Sequence, residues 1–397
     1  MIKPIENPRR VEAVEDATST YFAGANTAGG FFSFYPEIFD ERSLARLYVI
    51  KGGPGSGKSS LMRRLLRLGG EAGLCTEAYL CGSDPASLDA AIICGAGGRV
   101  AMIDATSPHA YDPRYPGAVT HLFDCGAFWD EGALSSHREA ITVLADAKSA
   151  AYKRAYRYLA ALGGVRRDIR RLGEEALDVA KMRAACRRFA LGLKGRDAHG
   201  RGEVPATATA PAAWSAKKTD VPKLAYPTET VRKCANCFSM RMEGELDIEP
   251  TFTTVTVTDS FGVAPAFLSA MVAELSSAGI FAARIVDCVE PDIIRALVLP
   301  AQKLRIICTE RPIDGAAKNF NMTRFLGREA LAASRNKRSF ARRCAASLAE
   351  GANQAFADAG ECHFALEDIY VAAMDFNALT AAADPVLAQA ISIAAGR

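Results

Sequence analysis

Residues 47–61, LYVIKGGPGSGKSSL, include a glycine-rich segment whose residue types and spacing suit phosphate binding. The pattern G-x-x-x-x-G-K-[ST] is complete in Gly52, Gly57, Lys58 and Ser59. Glycines let the backbone approach phosphate oxygens and direct N–H groups at them, because no Cβ blocks the approach. The lysine adds a positive charge that reaches the β- and γ-phosphates. The segment therefore predicts a P-loop that binds a nucleoside triphosphate.

The residues predicted to contact the nucleotide form one continuous run: Gly53, Pro54, Gly55, Ser56, Gly57, Lys58, Ser59 and Ser60. Within this run, the Ser59 hydroxyl is the predicted ligand of a Mg²⁺ ion that bridges the phosphates. An apolar segment that ends at Lys51 predicts a strand before the loop. The leucine-rich segment after the loop predicts a helix whose positive N-terminal end faces the anion.

Two acidic residues extend the predicted site. Asp104 ends an apolar segment, residues 99–104, and is predicted to hold Mg²⁺ through water as a Walker B aspartate does, although aspartates at strand ends also cap helices. Asp84 follows the second predicted strand, where many P-loop kinases hold an acidic residue near the acceptor hydroxyl. An Asx turn before Pro85 is an equal interpretation of Asp84. Lys58, Asp104 and Asp84 are therefore the catalytic candidates.

The residue after Asp104 distinguishes classes of P-loop proteins. AAA-type and RecA-type ATPases usually place a glutamate there to polarise water, whereas this chain has Ala105. The proline-rich loop that follows offers His109, Asp112 and Arg114 at the edge of the sheet where ligands of such folds bind. For His109, a role outside catalysis is the favoured interpretation.

The surrounding elements predict an α/β fold with two tandem P-loop NTPase-like parallel sheets flanked by helices. In the first half, residues 74–81 and 99–104 predict strands, and residues 82–93 predict a turn into a short helix, which gives the order β-α-β-α-β. Near-continuous apolar strands favour a parallel sheet covered on both faces. Residues 21–39 predict a β-hairpin whose aromatic side chains enter the core.

Residues 130–196 predict long helices with a basic surface. Between residues 138 and 196 the chain has 15 Lys or Arg and 6 Asp or Glu. A solvated helix face explains this most simply, and contact with a nucleic-acid backbone is the minority interpretation. Residues 197–230 are rich in Gly, Pro, Ala and Thr without a period, which predicts a flexible linker. The predicted domains are residues 1–196, with the active P-loop and a helical extension, and residues 231–397.

The second half of the chain repeats the first. TTVTVTDSFGVAPAFLSAM matches RLYVIKGGPGSGKSSLMRR, and GIFAARIVDCVEPDIIRALVLP matches GLCTEAYLCGSDPASLDAAIIC. Residues 363–376 are similarly matched to residues 150–163. Pro265 then falls on Lys58 and Ala266 on Ser59, and no aspartate ends the third strand. The second copy is therefore predicted to keep the fold, with an empty loop that binds no nucleotide.

This layout resembles a family of uncharacterised bacterial tandem P-loop ATPases. The resemblance is most specific in GANTAGGFFSFY, KGGPGSGKSSLM, ATSPHAYDPRYPGAV and LEDIYVAAMDF. It implies an ATP-binding protein and supplies no substrate. In this family the second half can also carry a P-loop, so Pro265 is a departure that argues against a mechanism with two ATP molecules.

Composition is ordinary for a globular protein, with 49% hydrophobic and 23% charged residues. The 11 cysteines lie mostly in apolar runs and are expected to be reduced. No apolar run of the roughly 18 residues of a membrane span is evident, and no secretory signal begins the chain. These features predict a soluble cytoplasmic protein without membrane contact.

The predicted function is Mg²⁺-dependent ATP hydrolysis or an ATP-driven switch that acts on the second half or on a protein partner. Weak contact with nucleic acid through the basic helices, residues 138–196, is a further predicted interaction. The absence of an [NT]-K-x-D guanine motif favours ATP over GTP. The first alternative is a kinase that phosphorylates a small molecule, which the missing glutamate and Asp84 favour. The second is a nucleotide-sensing protein without turnover.

Overall fold

The computed structural model describes residue 14 and residues 17–197, 232–234, 236–240 and 242–397. The predicted linker, residues 197–230, lies outside the described residues except for Asp197, which ends a helix.

The first half forms six strands of the main sheet and a separate hairpin. β1 (Ser19–Phe22) precedes the hairpin, in which β2 (Gly24–Thr27) pairs antiparallel with β3 (Gly30–Ser33), so the predicted hairpin is confirmed. After the short helix α1 (Tyr35–Ile38) come β4 (Arg46–Lys51), β5 (Cys75–Leu80), β6 (Leu88–Gly95), β7 (Gly98–Asp104) and β8 (Thr120–Asp124). Their order in the sheet is β1-β5-β6-β7-β4-β8.

The prediction of a short helix within residues 82–93 is wrong, because this part of the chain enters strand β6. β6 runs antiparallel to β5 and β7, whereas β1 is parallel to β5 and β4 is parallel to β7 and β8. The sheet is therefore mixed instead of wholly parallel. A short apolar run fits a buried strand and a buried helix equally well. The tight connection from Gly95 to Gly98 and the β-branched Ile92 and Ile93 favour the strand.

The second half repeats this order in the same sheet. It contains β9 (Arg232–Cys234), a hairpin of β10 (Asn236–Ser239) and β11 (Met242–Glu245), and then β12 (Thr253–Thr258), β13 (Ala283–Val286), β14 (Ile294–Leu299), β15 (Leu304–Thr309) and β16 (Lys318–Asn321). The order is β9-β13-β14-β15-β12-β16. β14 corresponds to β6 and is likewise antiparallel to both of its neighbours. β1 and β9 pair antiparallel at Phe22 and Cys234. Twelve of the described strands therefore form one mixed sheet, where two parallel sheets were predicted, and the two hairpins stay separate from it.

The last helix of each half packs on the other half. α2 (Lys58–Glu71) corresponds to α6 (Ala264–Ser277), while α3 (Glu131–Ser136), α4 (Arg138–Glu174) and α5 (Val179–Asp197) end the first half, and α7 (Arg328–Ala372) and α8 (Phe376–Ala395) end the second. α5 packs on α6, α8 packs on α2, and α4 and α7 pack along each other. Met182 and Cys186 thus join the core of the second half, and Leu379 joins that of the first. The cores do not follow the predicted domain boundary at residues 196–231.

The helical part of the repeat has a different register from the predicted one. α5 and α8 are both capped by an aspartate: Asp178 accepts the Lys181 N–H at 2.9 Å, and Asp375 accepts the Ala378 N–H at 2.9 Å. Residues 363–376 therefore correspond to residues 166–179, not to residues 150–163. Two long helices whose small and apolar residues recur at similar spacing can be aligned in several registers. Only the turn capped by aspartate distinguishes these alignments.

Helices and an extended segment cover opposite faces of the sheet in the first half. A Cβ on Gly69 of α2 would lie 2.7 Å from Ile93 and 3.3 Å from Thr76, which places α2 on one face. Tyr79 lies three residues further along β5 than Thr76, so it points to the opposite face. There its ring centroid is 5.5 Å from that of Phe39. The segment after β3 therefore covers that face.

α8 is long and apolar enough to span a membrane, judged by length and composition alone. The expectation that no segment meets this test is wrong for α8. Five of its side chains are buried in the core of the first half: Leu379, Ala383, Leu387, Ala390 and Ala394.

Candidate nucleotide-binding site

The glycine-rich loop, residues 52–57, connects the end of β4 to the start of α2 at the carboxyl edge of the parallel strands. Gly55 and Gly57 have φ values of 67° and 81°, a left-handed conformation that other residues rarely adopt. Gly57 stands directly before Lys58, the first residue of α2. The backbone therefore turns from strand to helix over the glycines, and the first turn of α2 faces the loop, which is an arrangement suited to an anion.

Lys58 and Asp104 come together at this loop. Lys58 Nζ donates to the carbonyl oxygens of Gly52 at 2.8 Å and Gly53 at 2.6 Å, and lies 3.5 Å from Asp104 Oδ2. Asp104 Oδ1 accepts the Thr106 N–H at 2.8 Å. The two residues are only 11% and 14% exposed in their side chains, so their attraction is weakly screened by water. The carboxylate and the ammonium predicted to act on a triphosphate are thus neighbours.

Ser59 and Asp84 have other partners in the structure. Ser59 Oγ accepts the backbone N–H of Leu88 at 3.0 Å, which joins the start of α2 to the start of β6. Asp84 Oδ1 accepts the Ala86 N–H at 3.1 Å, which is the Asx turn that the sequence allowed. Ser56 is buried and donates to the Gly53 carbonyl oxygen at 2.8 Å, whereas Ser60 is exposed.

Helices from the second half lie directly on the glycine-rich loop. A Cβ on Gly55 would be 2.8 Å from the Glu367 carbonyl oxygen and 2.7 Å from Val371. A Cβ on Gly53 would be 3.2 Å from both Trp129 and Tyr370, whose rings lie 5.4 Å apart. The end of α7 therefore forms part of the wall of this site. The glycines are required by this packing as well as by their backbone conformation.

The corresponding loop of the second half holds its own carboxylate. Asp259, which occupies the position of Gly52, accepts the N–H groups of Phe261 and Ala264, both at 2.7 Å. Ala264 begins α6, so the Asp259 side chain lies at the positive N-terminal end of this helix. The loop was predicted to be empty. It is filled by Asp259, while the predicted lack of a lysine and of a hydroxyl at residues 265 and 266 stands.

The proline-rich loop after Asp104 is held by one buried carboxylate. Glu41, 2% exposed, accepts hydrogen bonds from the hydroxyls of Tyr111 and Thr120 and from the N–H groups of Arg114 and Tyr115, at 2.7–2.9 Å. Burial alone would raise the pKa of Glu41, but these hydrogen bonds lower it below its usual value. The side chains of Asp112 and Arg114 themselves are exposed.

Sequence reasoning missed a cluster of the half-buried Cys81 with the buried Asp89 and His109. His109 Nε2 lies 3.1 Å from Asp89 Oδ2, and the imidazole stacks on Tyr35 with ring centroids 5.3 Å apart. Burial raises the pKa of Asp89 to about 6, with a lowering contribution from His109 and a raising one from Asp104. An aspartate within the otherwise apolar run LDAAIIC was the available signal, and His109 was interpreted as a bystander.

The basic face of α4 is partly paired. Arg170 forms two hydrogen bonds with Glu290, and Arg166 lies 3.4 Å from Asp287. Arg167 and Arg171 are exposed. The prediction of a solvated face therefore holds for Arg167 and Arg171 and is wrong for Arg166 and Arg170, because these two contact the second half.

Compared with known proteins, this chain matches no protein-family model, no curated protein and no solved structure. The resemblance to tandem P-loop ATPases stays a prediction.

Proposed function

We propose that this protein is an ATP-binding P-loop NTPase with one nucleotide site, formed by residues 53–60 of the first half. The convergence of Lys58 and Asp104 on the glycine-rich loop carries the proposal. In this site the loop N–H groups and Lys58 bind the phosphates, and Asp104 and Ser59 hold a Mg²⁺ ion that supplies charge neutralisation. The residues present suit that ion, because carboxylate and hydroxyl oxygens are its preferred ligands.

The tandem P-loop architecture is part of the same proposal. Both halves have the same strand order and place a helix directly after the equivalent strand, β4 or β12. Asp259 already supplies an anion to the second loop. Nucleotide binding to the second half would require this carboxylate to leave and a phosphate to bind without a lysine. The second half therefore acts as a partner of the first and binds no nucleotide.

A nucleotide-dependent switch is the form of activity best supported by the packing. α7 contacts the glycine-rich loop at Gly55 and runs from there to the second half, so a change in the loop acts directly on α7. Asp84, on which the kinase alternative rests, serves as a turn cap, and no observation at this residue favours an acceptor site. We place the protein in the cytoplasm, with a protein partner or weak nucleic-acid contact through the exposed arginines of α4 and α5.

The test is a nucleotide titration followed by a fate experiment with γ-labelled ATP and Mg²⁺. We expect one ATP per chain and slow release of labelled phosphate into water. Label on an added metabolite would favour the kinase, and bound ATP without release would favour a sensor. Absence of ATP binding at millimolar concentration would contradict the proposal.

A further inference from the structure

We propose that Cys81, Asp89 and His109 bind one transition-metal ion of the zinc class. This site is separate from the proposed Mg²⁺ site and does not depend on nucleotide binding. One donor atom from each residue lies within 4.8 Å of the other two, and the closest pair, His109 Nε2 and Asp89 Oδ2, is 3.1 Å apart. Metal–ligand bonds of about 2.0–2.3 Å in a tetrahedral site separate the donors by roughly 3.3–3.8 Å. The three side chains therefore need only small movements to share one ion.

Asp89 and His109 retain uncommitted polar atoms in a buried place. They are 3% and 6% exposed. Among the residues that the structure describes, Asp89 Oδ2 and His109 Nδ1 have no hydrogen-bond partner, and Asp89 Oδ2 lies 3.1 Å from the other ring nitrogen, His109 Nε2. A buried polar atom without a partner costs about 1–3 kcal/mol, so native proteins rarely leave two together. A cation between the side chains would satisfy Asp89 Oδ2 and use the Nε2 lone pair.

The turn of residues 81–84 holds the Cys81 sulfur in place. The Sγ atom of Cys81 accepts the N–H groups of Ser83 and Asp84, both at 3.4 Å. These two hydrogen bonds fix the position of the sulfur. Burial and the neighbouring Asp89 raise the pKa of the Cys81 thiol well above its ordinary value, so the thiol loses its proton as the metal binds. The turn thus presents the Cys81 sulfur to Asp89 and His109.

The donor set selects the class of metal. A thiolate, a carboxylate and an imidazole carry two negative charges together, which match a divalent cation. The sulfur and nitrogen donors favour Zn²⁺ and its relatives over Mg²⁺ and Ca²⁺, which prefer oxygen. Three protein ligands leave a fourth position for water or another small ligand.

The site would tie three separate segments to the sheet. Cys81 follows β5, Asp89 lies near the start of β6 and His109 belongs to the proline-rich loop. The ring of His109 also meets that of Phe31 in the β2–β3 hairpin, with centroids 4.6 Å apart. Tyr35 donates its hydroxyl to the carbonyl oxygens of both Asp89 and Asp104, which shows how close the cluster lies to the proposed nucleotide site. A bound ion therefore orders the segments behind that site.

Cobalt titration of the full chain tests the proposal. The purified protein is stripped with a chelator under reducing conditions and titrated with Co²⁺. We expect one ion per chain, strong visible bands of a tetrahedral site and a near-ultraviolet band from sulfur-to-cobalt charge transfer, all removed by Zn²⁺. Wild-type protein that shows no charge-transfer band at saturating Co²⁺ overturns the proposal without recourse to any variant.

Variants identify the ligands. Cys81→Ser is expected to lose the charge-transfer band, and His109→Gln to weaken Co²⁺ binding at least roughly tenfold. Cys344→Ser, on α7, is the matched control and keeps the wild-type spectrum. A Cys81→Ser protein that keeps the charge-transfer band overturns the assignment. Nucleotide titration of the same samples reports on the proposed ATP site separately, because the cobalt spectrum requires no nucleotide.

Discussion

Arg170 and Glu290 form a doubly hydrogen-bonded ion pair that links the end of α4 to the second half of the chain. Their nitrogen and oxygen atoms are 2.7 and 2.6 Å apart, and the side chains are 14% and 12% exposed. Glu290 stands at the position that Asp84 has in the first half. An arginine of the first half thus neutralises the acidic residue at this turn of the second half. Some of the basic residues of α4 therefore serve contact between the halves.

We expect Arg170→Ala to lower the free energy of unfolding by about 2–4 kcal/mol, because it leaves Glu290 charged, mostly buried and unpaired. Arg171→Ala, the exposed neighbour, should change it by less than about 0.5 kcal/mol. Denaturant titrations of both variants, of Glu290→Ala and of the double variant give the coupling energy. Equal stability of the Arg170 and Arg171 variants would contradict the role assigned to the pair.

Lys58→Ala should weaken ATP binding roughly a hundredfold or more, because each contact of a charged group with phosphate contributes about 1.5–3 kcal/mol. Asp104→Asn should keep ATP binding and lower Mg²⁺-dependent hydrolysis roughly a hundredfold or more, because the metal loses its carboxylate. Calorimetry and phosphate release measure the two effects.

Arg67→Ala is the control for both changes, since Arg67 lies on α2 and pairs with Glu71 at the surface. Unaltered ATP affinity in a folded Lys58→Ala protein would rule out the proposed site.

Gly55→Ala should destabilise the protein by about 2–4 kcal/mol and abolish ATP binding. The residue has a left-handed φ, and its new Cβ would collide with the Glu367 carbonyl oxygen. Gly70→Ala, near the end of α2, meets nothing within 4 Å and should stabilise by about 0.5–1 kcal/mol without altering ATP binding. Thermal unfolding and ATP titration of the pair check this, and a Gly55→Ala protein that behaves like Gly70→Ala would disprove the contact with α7.

Asp259→Ala should cost about 1–2 kcal/mol of stability, because two N–H groups at the start of α6 lose their acceptor. Nucleotide stoichiometry should remain at one per chain, because the second loop still lacks a lysine. Ser260→Ala, at the exposed next residue, should be neutral in denaturant titration. A second molecule of ATP bound to Asp259→Ala would show that the carboxylate alone had excluded it.

Glu41→Gln should lower stability at pH 7 by about 2–4 kcal/mol, because the amide nitrogen faces donors that the carboxylate had satisfied. Since the pKa of Glu41 is lowered in the folded protein, its contribution is present above the usual glutamate value of 4.5 and is lost as the pH falls through the folded pKa.

Denaturant midpoints of wild type and Glu41→Gln should therefore converge below about pH 4.5. Asp112→Asn, an exposed carboxylate of the same loop, is the control, and a pH-independent difference between wild type and Glu41→Gln would contradict the assignment.

The sequence by itself determined the features that depend on neighbouring residues. The positions of Gly52, Gly55 and Gly57 predict the turn from strand to helix, because left-handed backbone is a local property of glycine. The β2–β3 hairpin and the equivalence of the two halves' strands likewise follow from short patterns. Asp84 is a further local case, since the Asx turn involves only the next two residues.

Tertiary structure alone decided the features that join distant residues. Whether residues 88–95 form a helix or a strand depends on β5 and β7, which offer backbone partners on both sides. The exchange of α5 and α8 between the halves buries their apolar side chains in the other half's core, and the order of elements along the chain does not indicate it. Cys81, Asp89 and His109 meet because the end of β5, the start of β6 and the loop after β7 lie at one edge of the sheet, and no spacing in the chain indicates that meeting.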